Sequence, residues 1–521
     1  MGENNRKKIA IVGAGISGLL ACKYVLSKGF DPIVFESHDG LGGVWTETFE
    51  TTRLQTPKLV YQFSDFPWPS SIEEDFPDHR QVLRYVEAYA RRFNLMRHIR
   101  FRSKVVGLRY EREGPDEAGE PRGWCGEALC SEAKWEVKVE RDQEDRTSIE
   151  IHVVDFVILC VGRFSGIPNF PEFTPGRGPE SFHGKVIHSM DYAAMSQERI
   201  KELIRGKRVA VVGFRKSALD IAMECSTING VEHPCTVLYR TEHWNVPDYL
   251  PWGLPLEFLY LNRFSELLVH KPGEGLLLSL LASVLSPVRW AISKSVESNI
   301  KKKLPLEKYG MVPKHSFLQE ISSCLISTVP AKFYDRVEGG SIILKKAPEF
   351  GFFAKGISID GDITEVKADV VIMATGFKGE QKLRDVFESK FFRDCILGSP
   401  SSIVPLYREC IHPRIPQLAV VGFSESVTNL YTSEMRCRWL VELLAGTFKL
   451  PPIGEMEKDV EKWDKYMKEA SGKYYRRSCI GAVHIWYNDQ LCKDMGWNPR
   501  RKQGLLAELF EPYGPPDYAT P

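Results

Sequence analysis

Two glycine-rich turns, about 200 residues apart, are the segments of this chain best suited to binding a charged ligand. Backbone N–H groups in such a turn, at the start of a helix, bind phosphate groups. Each turn follows an apolar run typical of a buried parallel strand, Lys8–Val12 for the first and Arg208–Val212 for the second. The turns consist of Gly13, Ala14, Gly15, Ile16, Ser17 and Gly18, and of Gly213, Phe214, Arg215, Lys216, Ser217 and Ala218. We therefore expect two strand–turn–helix units, each of which positions one dinucleotide.

The first unit has the complete pattern of glycines. Gly13 permits the tight turn, Gly15 lets the backbone approach a pyrophosphate, and Gly18 lets helix and strand pack closely. The next predicted strand ends at Glu36. An acid at this point accepts hydrogen bonds from an adenosine ribose and repels a 2′-phosphate. The ligand is therefore FAD or NAD and not NADP; a chance glycine-rich turn is the alternative that the strands and the acid disfavour.

A second glycine-rich segment, Gly40–Trp45, follows the acid. Its paired glycines let the backbone run close against a cofactor, so we predict that Gly43, Val44 and Trp45 contact it. Together with Glu36 this segment favours FAD over NAD. The alternative is that these glycines only form a loop.

The second unit carries the opposite charge at the equivalent place. Its next predicted strand, Cys235–Tyr239, ends in Arg240 and Thr241, and the fork of donors on arginine matches a phosphate. This pattern predicts NADPH. Arg215 replaces the usual second glycine, so the nucleotide is displaced, or Arg215 itself contacts phosphate, or the unit is only structural. The predicted contacts are Gly213, Lys216, Ser217, Ala218, Asp220, Arg240 and Thr241.

The segment between the units, Phe182–Tyr192, fits the pattern F-x-G-x-x-x-H-x-x-x-Y at every fixed position. By this motif the chain resembles the flavin-containing monooxygenases, and its ending in Tyr192 and Ala193 differs from the Baeyer–Villiger relatives. Asp369–Phe377 is similar to the family's returning strand, which places Gly376 near cofactor. Gln55–Lys58 and Pro405–Arg408 most resemble the plant branch, and within it the defence-associated enzymes.

The resemblance implies an α/β fold of the class B flavoprotein monooxygenases, with two nested Rossmann-like domains for FAD and NADPH. We expect the FAD domain at residues 1–190 and 326–450, the NADPH domain with a helical insertion at 191–325, and a C-terminal helical extension at 451–521. NADPH would reduce the flavin, and oxygen would then form a C4a-hydroperoxyflavin that oxygenates a soft nucleophile. No metal is expected to take part.

The resemblance also implies a site for substrate. Gln55 stands where other branches carry an asparagine near the flavin; we predict a catalytic role for Gln55 and a cofactor contact for Gln55 and Thr56, against the alternative of a loop amide. N-hydroxylation of a small amine or cyclic amino acid is the expected activity, with Arg408 or Arg436 as candidates to bind a substrate carboxylate. S-oxygenation of sulfur metabolites, an NADPH–flavin reductase and a non-catalytic flavoprotein remain the alternatives.

Composition restricts the remaining possibilities. The chain has 521 residues, 43% hydrophobic and 26% charged, with a net charge of +1, so nucleic acid is an improbable partner. The 12 cysteines are scattered; we expect them to be reduced, with a redox pair at Cys125 and Cys130 as the less favoured reading.

No signal peptide or transmembrane anchor is expected, which predicts a cytoplasmic protein. The oligomeric state is left open. The apolar stretch Leu276–Ala291 is predicted to be an amphipathic helix. We expect it to pack against the protein; the alternatives are that it contacts a membrane surface, which would make the protein peripheral to a membrane, or narrows a substrate entrance.

Overall fold

The computed structural model describes residues 6–111, 124, 126–129, 132–143, 146–361, 365–399, 402–475 and 478–520. Cys125 and Cys130 therefore lie outside the described residues. The strands are β1 (Lys8–Val12), β2 (Asp31–Phe35), β3 (Ile99–Arg100), β4 (Ser103–Glu111), β5 (Lys134–Gln143), β6 (Arg146–Val154), β7 (Phe156–Leu159), β8 (Lys185–His188), β9 (Val209–Val212), β10 (Cys235–Tyr239), β11 (Ile342–Lys346), β12 (Phe350–Phe353), β13 (Gly356–Ile359), β14 (Val366–Lys367), β15 (Val370–Met373), β16 (Gly398–Ser399), β17 (Ser402–Ile403) and β18 (Leu418–Val420).

The helices lie mainly between and after the parallel strands. They are α1 (Ile16–Ser27), α2 (His79–Arg92), α3 (Ser189–Ala193), α4 (Gln197–Ile204), α5 (Lys216–Asn229), α6 (Leu256–Tyr260), α7 (Arg263–Leu267), α8 (Leu276–Val284), α9 (Ser286–Lys303), α10 (Phe317–Ser322), α11 (Phe333–Glu338), α12 (Gly379–Asp385), α13 (Lys390–Leu397), α14 (Asn429–Leu444), α15 (Ile453–Ser471), α16 (His484–Asp494) and α17 (Leu505–Phe510).

Two five-stranded sheets have the same plan. The first has the order β18-β7-β1-β2-β3 and the second the order β11-β10-β9-β15-β8. All neighbouring strands in both sheets are parallel. Both centres are apolar on both faces, as helices on each side require; every residue of β7 and of β9 is buried. The predicted α/β class with two Rossmann-like units is confirmed. In each sheet the strand order reverses beside the strand that enters the glycine-rich turn, which is where such sheets bind ligands.

The membership of the second sheet differs from the predicted residue ranges. β8, β11 and β15 all belong to it, although they lie outside residues 191–325. β8 is an edge strand, and its four residues pair with β15 from Lys185 opposite Val370 to His188 opposite Met373. The second unit thus extends from residue 185 to residue 373. The predicted boundaries missed β8 and β11 because a short edge strand and a strand with lysines carry a weak apolar pattern. β15 was recognised as a strand from its apolar run but was assigned to the range of the first unit.

The predicted amphipathic helix is two helices, α8 and α9, bent by 49° at a break. Pro287, in the first turn of α9, accounts for the break because its ring cannot continue a helix. Leu276 is 91% exposed and Leu277 is 84% exposed, so the expectation that this apolar surface packs against the protein is wrong for α8. No single helix in the described part of the chain is long and apolar enough to cross a bilayer, whereas the bent pair α8 and α9 passes a test of length and composition alone.

The C-terminal extension packs on both units. Met456, Val460 and Trp463 of α15 belong to the hydrophobic core around the first sheet. On its other side, the backbone oxygen of Ser471 accepts a hydrogen bond from Gln319 Nε2 of α10 at 3.0 Å. This extension is therefore part of the folded body, as expected for a helical segment.

A disulfide joins Cys324, just after α10, to Cys479 in the C-terminal extension, across 155 residues of sequence. The expectation of reduced cysteines is therefore wrong for this pair. Cys22 and Cys160, by contrast, are unbonded and buried, and burial raises the pKa of the Cys22 thiol to about 12.

Candidate functional site

The first glycine-rich turn links β1 to α1. The N–H of Gly13 donates to the carbonyl oxygen of Phe35 at 2.8 Å, and Gly13 has a φ of +102°. A Cβ on Gly13 would lie 2.6 Å from the carbonyl oxygen of Cys160, and a Cβ on Gly18 would lie 1.9 Å from the carbonyl oxygen of Gly13. Glycine is thus required at both positions. The first N–H groups of α1, among them those of Ile16 and Ser17, have no partner within the helix and are available to a phosphate.

The segment with paired glycines packs directly on this turn. The N–H of Gly42 donates to the carbonyl oxygen of Ala14 at 3.1 Å. A Cβ on Gly43, whose φ is +58°, would lie 3.2 Å from the Cα of Gly15. Trp45 is fixed by a 2.9 Å hydrogen bond from its Nε1 to Tyr61 Oη, and Val44 is 51% exposed. The two predicted cofactor segments of the first unit therefore face each other across bare backbone.

Glu36 lies at the carboxyl end of β2, beside the same turn. It is buried, and its Oε2 accepts a hydrogen bond from the N–H of Ala14 at 2.7 Å. Its Oε1 accepts from the N–H of His38 at 3.0 Å. Both bonds fix the carboxylate beside the turn, where the sequence predicts a ribose.

Lys382 of α12 lies in the same region and was not predicted. Its Nζ donates to Ser165 Oγ at 2.8 Å. Burial lowers the pKa of Lys382 to about 8, and the charges of Glu47 and Glu36 partly oppose that shift. A lysine brought in from a distant helix leaves no local signal in the sequence.

Gly422, in the loop after β18, was not predicted either. A Cβ on Gly422, whose φ is +80°, would lie 2.1 Å from Ser17 Oγ at the start of α1. The apolar run of β18 followed by a glycine was the signal available to find it. This loop therefore closes the first unit over the helix start that is predicted to bind phosphate.

The second turn repeats the backbone of the first. The N–H of Gly213 donates to the carbonyl oxygen of Leu238 at 2.8 Å, and Gly213 has a φ of +134°. A Cβ on Gly213 would lie 2.6 Å from the carbonyl oxygen of Ala374 and 3.4 Å from the Cβ of Ala218. Ser217 lies in the first turn of α5, as predicted. Ala374 belongs to the predicted returning strand, so that strand does contact this turn. Gly376, with a φ of +85°, lies two residues further along the chain.

Arg215 and Lys216 have different surroundings. Arg215 is exposed and has a φ of −106° and a ψ of −178°, an extended backbone that any residue adopts. Lys216 Nζ donates to Asp220 Oδ1 at 2.5 Å within α5. Burial raises the pKa of Asp220, and Lys216 partly opposes that shift. Lys216 and Asp220 therefore form a largely buried pair, which reduces the charge that Lys216 can offer to a phosphate.

The loop after β10 carries the predicted cation. Arg240 is exposed at the end of the strand, and Thr241 Oγ1 lies 3.3 Å from His243 Nε2. Glu242 accepts a 2.6 Å hydrogen bond from Lys346 Nζ of β11. Arginine and threonine are thus at the mouth of the second unit, as the sequence predicts.

The motif Phe182–Tyr192 forms the edge of the second sheet. A Cβ on Gly184 would lie 2.3 Å from Phe182 Cζ and 2.4 Å from the carbonyl oxygen of Asp369. His188 Nδ1 accepts from the N–H of Met190 at 3.1 Å and so caps α3. Burial lowers the pKa of His188. A buried, neutral capping histidine fits a positioning role rather than an acid or base role.

Tyr192 closes the motif and connects it to both units. Its hydroxyl donates to Glu224 Oε2 of α5 at 2.9 Å. Its ring lies 6.0 Å, between centroids, from that of Phe49, which belongs to the first unit. The motif thus ties the connection between the units to the helix that follows the second turn.

The residues predicted for the substrate site lie in two places. Gln55 is exposed in a bend, and Thr56 beside it is half-buried. Arg408 is paired with Asp494 at 2.8 Å and with Asp459 at 3.2 Å. Its guanidinium is thus already used between the first unit and the C-terminal extension, so the prediction that Arg408 is available for a substrate carboxylate is not supported.

Arg436, the other arginine considered for the substrate, is 1% exposed. Its Nε donates to Tyr487 Oη at 2.8 Å. The side chain therefore lies inside the contact between α14 and α16, so the expectation that Arg436 binds a substrate carboxylate is not supported.

The geometry fits both cofactors. In each unit the turn contains a glycine at which a Cβ would clash, and the first N–H groups of the following helix can bind phosphate. Glu36 lies where the unphosphorylated ribose of FAD is predicted, and Arg240 and Thr241 lie where the 2′-phosphate of NADPH is predicted. FAD and NADPH together would supply hydride transfer and the activation of oxygen. Which of these residues touch the cofactors remains a prediction.

Comparison with known proteins agrees with this geometry. The family described as Flavin-binding monooxygenase-like matches residues 6–508. The chain is 41% identical, over 98% of its own length and 96% of the relative's, to the protein named probable flavin-containing monooxygenase 1 of Arabidopsis thaliana.

Solved structures share the fold. The structure of OTEMO in complex with FAD and NADP has a TM-score of 0.65 to this chain at 17% identity, covering 95% of this chain and 98% of that one. The S-allyl-L-cysteine S-oxygenase of Allium sativum has a TM-score of 0.59 at 18% identity, covering 95% and 89%. The predicted family, enzyme class, fold and cofactors are confirmed: the chain belongs to the flavin-containing monooxygenases and is an oxidoreductase that uses FAD and NADPH.

Proposed function

We propose that this enzyme uses NADPH and O2 to oxygenate a soft nucleophilic nitrogen, and that N-hydroxylation of a small amine or cyclic amino acid is its reaction. The observation that carries the proposal is the motif that ends in Tyr192 and Ala193. It lies between a unit with Glu36 at its strand end and a unit with Arg240 at the equivalent strand end. A motif of this ending resembles the heteroatom-oxygenating enzymes rather than the Baeyer–Villiger ones. The resemblance to the plant defence-associated branch narrows the nitrogen compounds worth testing.

The chain's own residues contribute position and exclusion of water. Gly13, Gly15 and Gly43 hold bare backbone where the flavin nucleotide would bind, and Gly422 covers the start of α1. Exclusion of water protects a reactive oxygen species from decay before substrate arrives. Because the cofactor would supply the reactive chemistry, the enzyme needs no Ser-His-Asp set or paired carboxylates.

The test is product analysis of the FAD-loaded enzyme with amines, cyclic amino acids and thioethers, in labelled O2 and separately in labelled water. We expect one labelled oxygen on nitrogen from O2 and none from water. Labelled sulfoxides with unmodified amines would establish S-oxygenation instead. NADPH oxidation without labelled product from any substrate would favour the reductase, and no NADPH oxidation would favour a non-catalytic flavoprotein.

Gln55 is proposed to contact flavin, nicotinamide ribose or bound oxygen, because its side chain amide both donates and accepts hydrogen bonds. Gln55→Ala should lower the ratio of product formed to NADPH consumed by about tenfold, since one polar contact near the reacting atoms is lost. Gln503→Ala, at another exposed glutamine, is the matched control. An unchanged ratio in Gln55→Ala would refute the assignment.

We also propose that α8 rests on a membrane surface. Leu280 is 63% exposed and Trp290 of α9 is 63% exposed, and exposed leucines with tryptophan are typical of interfacial helices. Co-flotation of the protein with anionic vesicles, and its loss in Leu276→Asp/Leu277→Asp, would support the proposal. Absence of wild-type co-flotation would refute it.

A further inference from the structure

A buried cluster of two histidines and a glutamate lies beside the loop that carries Arg240. Glu320 of α10 is fully buried. Its Oε1 lies 3.0 Å from His243 Nδ1, and its Oε2 is hydrogen-bonded to His315 Nε2. None of the motifs recognised in the sequence includes these three residues.

The charge of Glu320 determines the protonation of its neighbours. Burial alone would raise its pKa, but the hydrogen bonds from His243 and His315 outweigh burial and lower the pKa of Glu320 to about 2. Glu320 is therefore a carboxylate at neutral pH and only accepts hydrogen bonds. The proton of His243 that faces it must then be on Nδ1, so Nε2 is the atom that remains for Thr241.

The surrounding loop holds His243 in this orientation. Trp244 Nε1 donates to the carbonyl oxygen of His315 at 2.7 Å. Asn245 Nδ2 lies 3.5 Å from the carbonyl oxygen of Phe214, in the glycine-rich turn itself. The N–H of Val246 donates to Ser327 at 2.9 Å. The loop is thereby attached both to the turn and to the segment after α10.

We propose that His243 is a specificity-determining residue of the nicotinamide site and that Glu320 is its positioning residue. Glu320 fixes the ring through Nδ1, and Nε2 stands next to Thr241, one of the two residues predicted to bind the 2′-phosphate of NADPH. An imidazolium beside this carboxylate donates from both ring nitrogens, so Nδ1 bonds to Glu320 while Nε2 can form a charge-assisted hydrogen bond to that phosphate. This inference rests on the predicted location of the nicotinamide site and adds a third residue to it.

The same three side chains suggest a competing function. One ligand atom from each of His243, His315 and Glu320 lies within 4.8 Å of the others, a set that zinc also accepts. In that case Nδ1 of His243 would hold metal and not a proton. The two assignments differ in whether a chelator changes the preference for the 2′-phosphate.

The experiment measures binding of 2′,5′-ADP and of 5′-AMP to the FAD-loaded enzyme by calorimetry. Occupied FAD sites keep either probe out of the first unit. The wild type should bind 2′,5′-ADP more tightly, and His243→Ala should reduce that preference by about tenfold with 5′-AMP binding unchanged. Glu320→Gln should reduce it by about threefold, because the ring is present but no longer fixed. His270→Ala, which removes the histidine of a partly buried pair with Glu274, is the matched control and should change neither.

Each outcome distinguishes the inference from the site on which it rests. If the wild type shows no preference, or Arg240→Ala retains it, the predicted nicotinamide site is wrong. If Arg240→Ala loses the preference and His243→Ala does not, only this inference is overturned. Equal weakening of both probes in His243→Ala indicates a structural role and also overturns it, as does stoichiometric zinc whose removal by a chelator abolishes the preference.

Folding is checked by flavin content and circular dichroism. If His243→Ala loses flavin, His243→Gln replaces it in the same assay, because an amide keeps the hydrogen-bonding capacity but carries no charge. A reduced preference for 2′,5′-ADP in His243→Gln supports the proposal, and a wild-type preference overturns it.

Discussion

The two glycine-rich turns have nearly the same backbone and different side chains. Gly13 and Gly213 each donate to the end of the neighbouring strand at 2.8 Å, and the residues that precede α1 and α5 have ψ angles of −176° and −178°. The first glycine is thus required by its φ in both turns. The second position has an extended backbone in both, so Arg215 is unstrained there and the usual glycine serves only to make space.

The third glycine position, Gly18 in the first turn and Ala218 in the second, differs because the distance between helix and strand differs. In the first turn a Cβ on Gly18 would meet the carbonyl oxygen of Gly13 at 1.9 Å, whereas the second turn already accommodates Ala218. Helix and strand are therefore closer in the first unit. The backbones are similar, with a carboxylate at the next strand end in one unit and a guanidinium in the other. We therefore predict that the turn binds a dinucleotide and that the next strand end selects which one.

The largest effect is expected when a Cβ is added at Gly18. Gly18→Ala should destabilise the protein by about 3 kcal/mol and eliminate most bound flavin, because a backbone carbonyl cannot move away as a side chain can. Flavin absorbance per protein and the Tm check this. The matched change in the second turn, Ala218→Gly, should retain flavin and cost about 1 kcal/mol. Full flavin content in Gly18→Ala would show that the two turns are equally spaced.

The second unit is also the one that is cross-linked to the C-terminal extension. Cys324→Ser should lower the free energy of unfolding by about 3 kcal/mol without reductant, because the unfolded chain is no longer constrained. Denaturant unfolding measures this, and the wild type in reductant is the control. If reductant does not affect the wild type, the disulfide does not form in the purified protein.

The next effect is expected at Arg240, which is predicted to select the nucleotide of the second unit. Arg240→Ala should reduce the preference for NADPH over NADH by about tenfold or more, because a charge-assisted bond to the 2′-phosphate is lost. Steady-state kinetics with both nucleotides measure it, and Arg199→Ala, at an exposed arginine of α4, is the control. A retained preference would mean that the strand end does not select.

The smallest effect is expected at Arg215, which replaces the second glycine of the usual pattern. Arg215→Gly should change the Kd of NADPH by less than about threefold, because an exposed charge contributes little and the backbone already has the required form. Fluorescence titration of NADPH measures it. Weakening by more than tenfold would instead mean that Arg215 binds phosphate directly.

The elements that could be predicted from the sequence are those with local physical signals. β1, β9 and the strands after each turn are apolar runs next to glycines, and Glu36 and Arg240 are read directly at the strand ends. The edge strand β8 and the three-residue β18 give too few apolar positions to predict which sheet they join. The disulfide and the Glu320 cluster unite residues from distant segments, so no spacing in the chain announces them.

Packing also changed two expectations, one from the apolar stretch of α8 and one from the substrate that the resemblance implied. The leucines of α8 look like core residues in the sequence, but α8 faces outwards. Arg408 looks available in its segment, but acids on α15 and α16 pair with it. The acids that pair with Arg408 come from distant segments, and whether another segment covers the leucines of α8 is likewise not encoded in the local sequence.

The strands by which the chain enters and leaves the second unit, β8 and β15, are hydrogen-bonded neighbours. Their connections to the first unit also touch, since the N–H of Asn169 donates to the carbonyl oxygen of Gly376 at 2.9 Å. The second unit is consequently one continuous segment of the chain, joined to the first unit by two neighbouring connections. To exchange this unit between relatives, the chain would have to be cut before β8 and after β15, which are neighbours in space. The part of the C-terminal extension that carries Cys479, the partner of Cys324, would have to be exchanged with it.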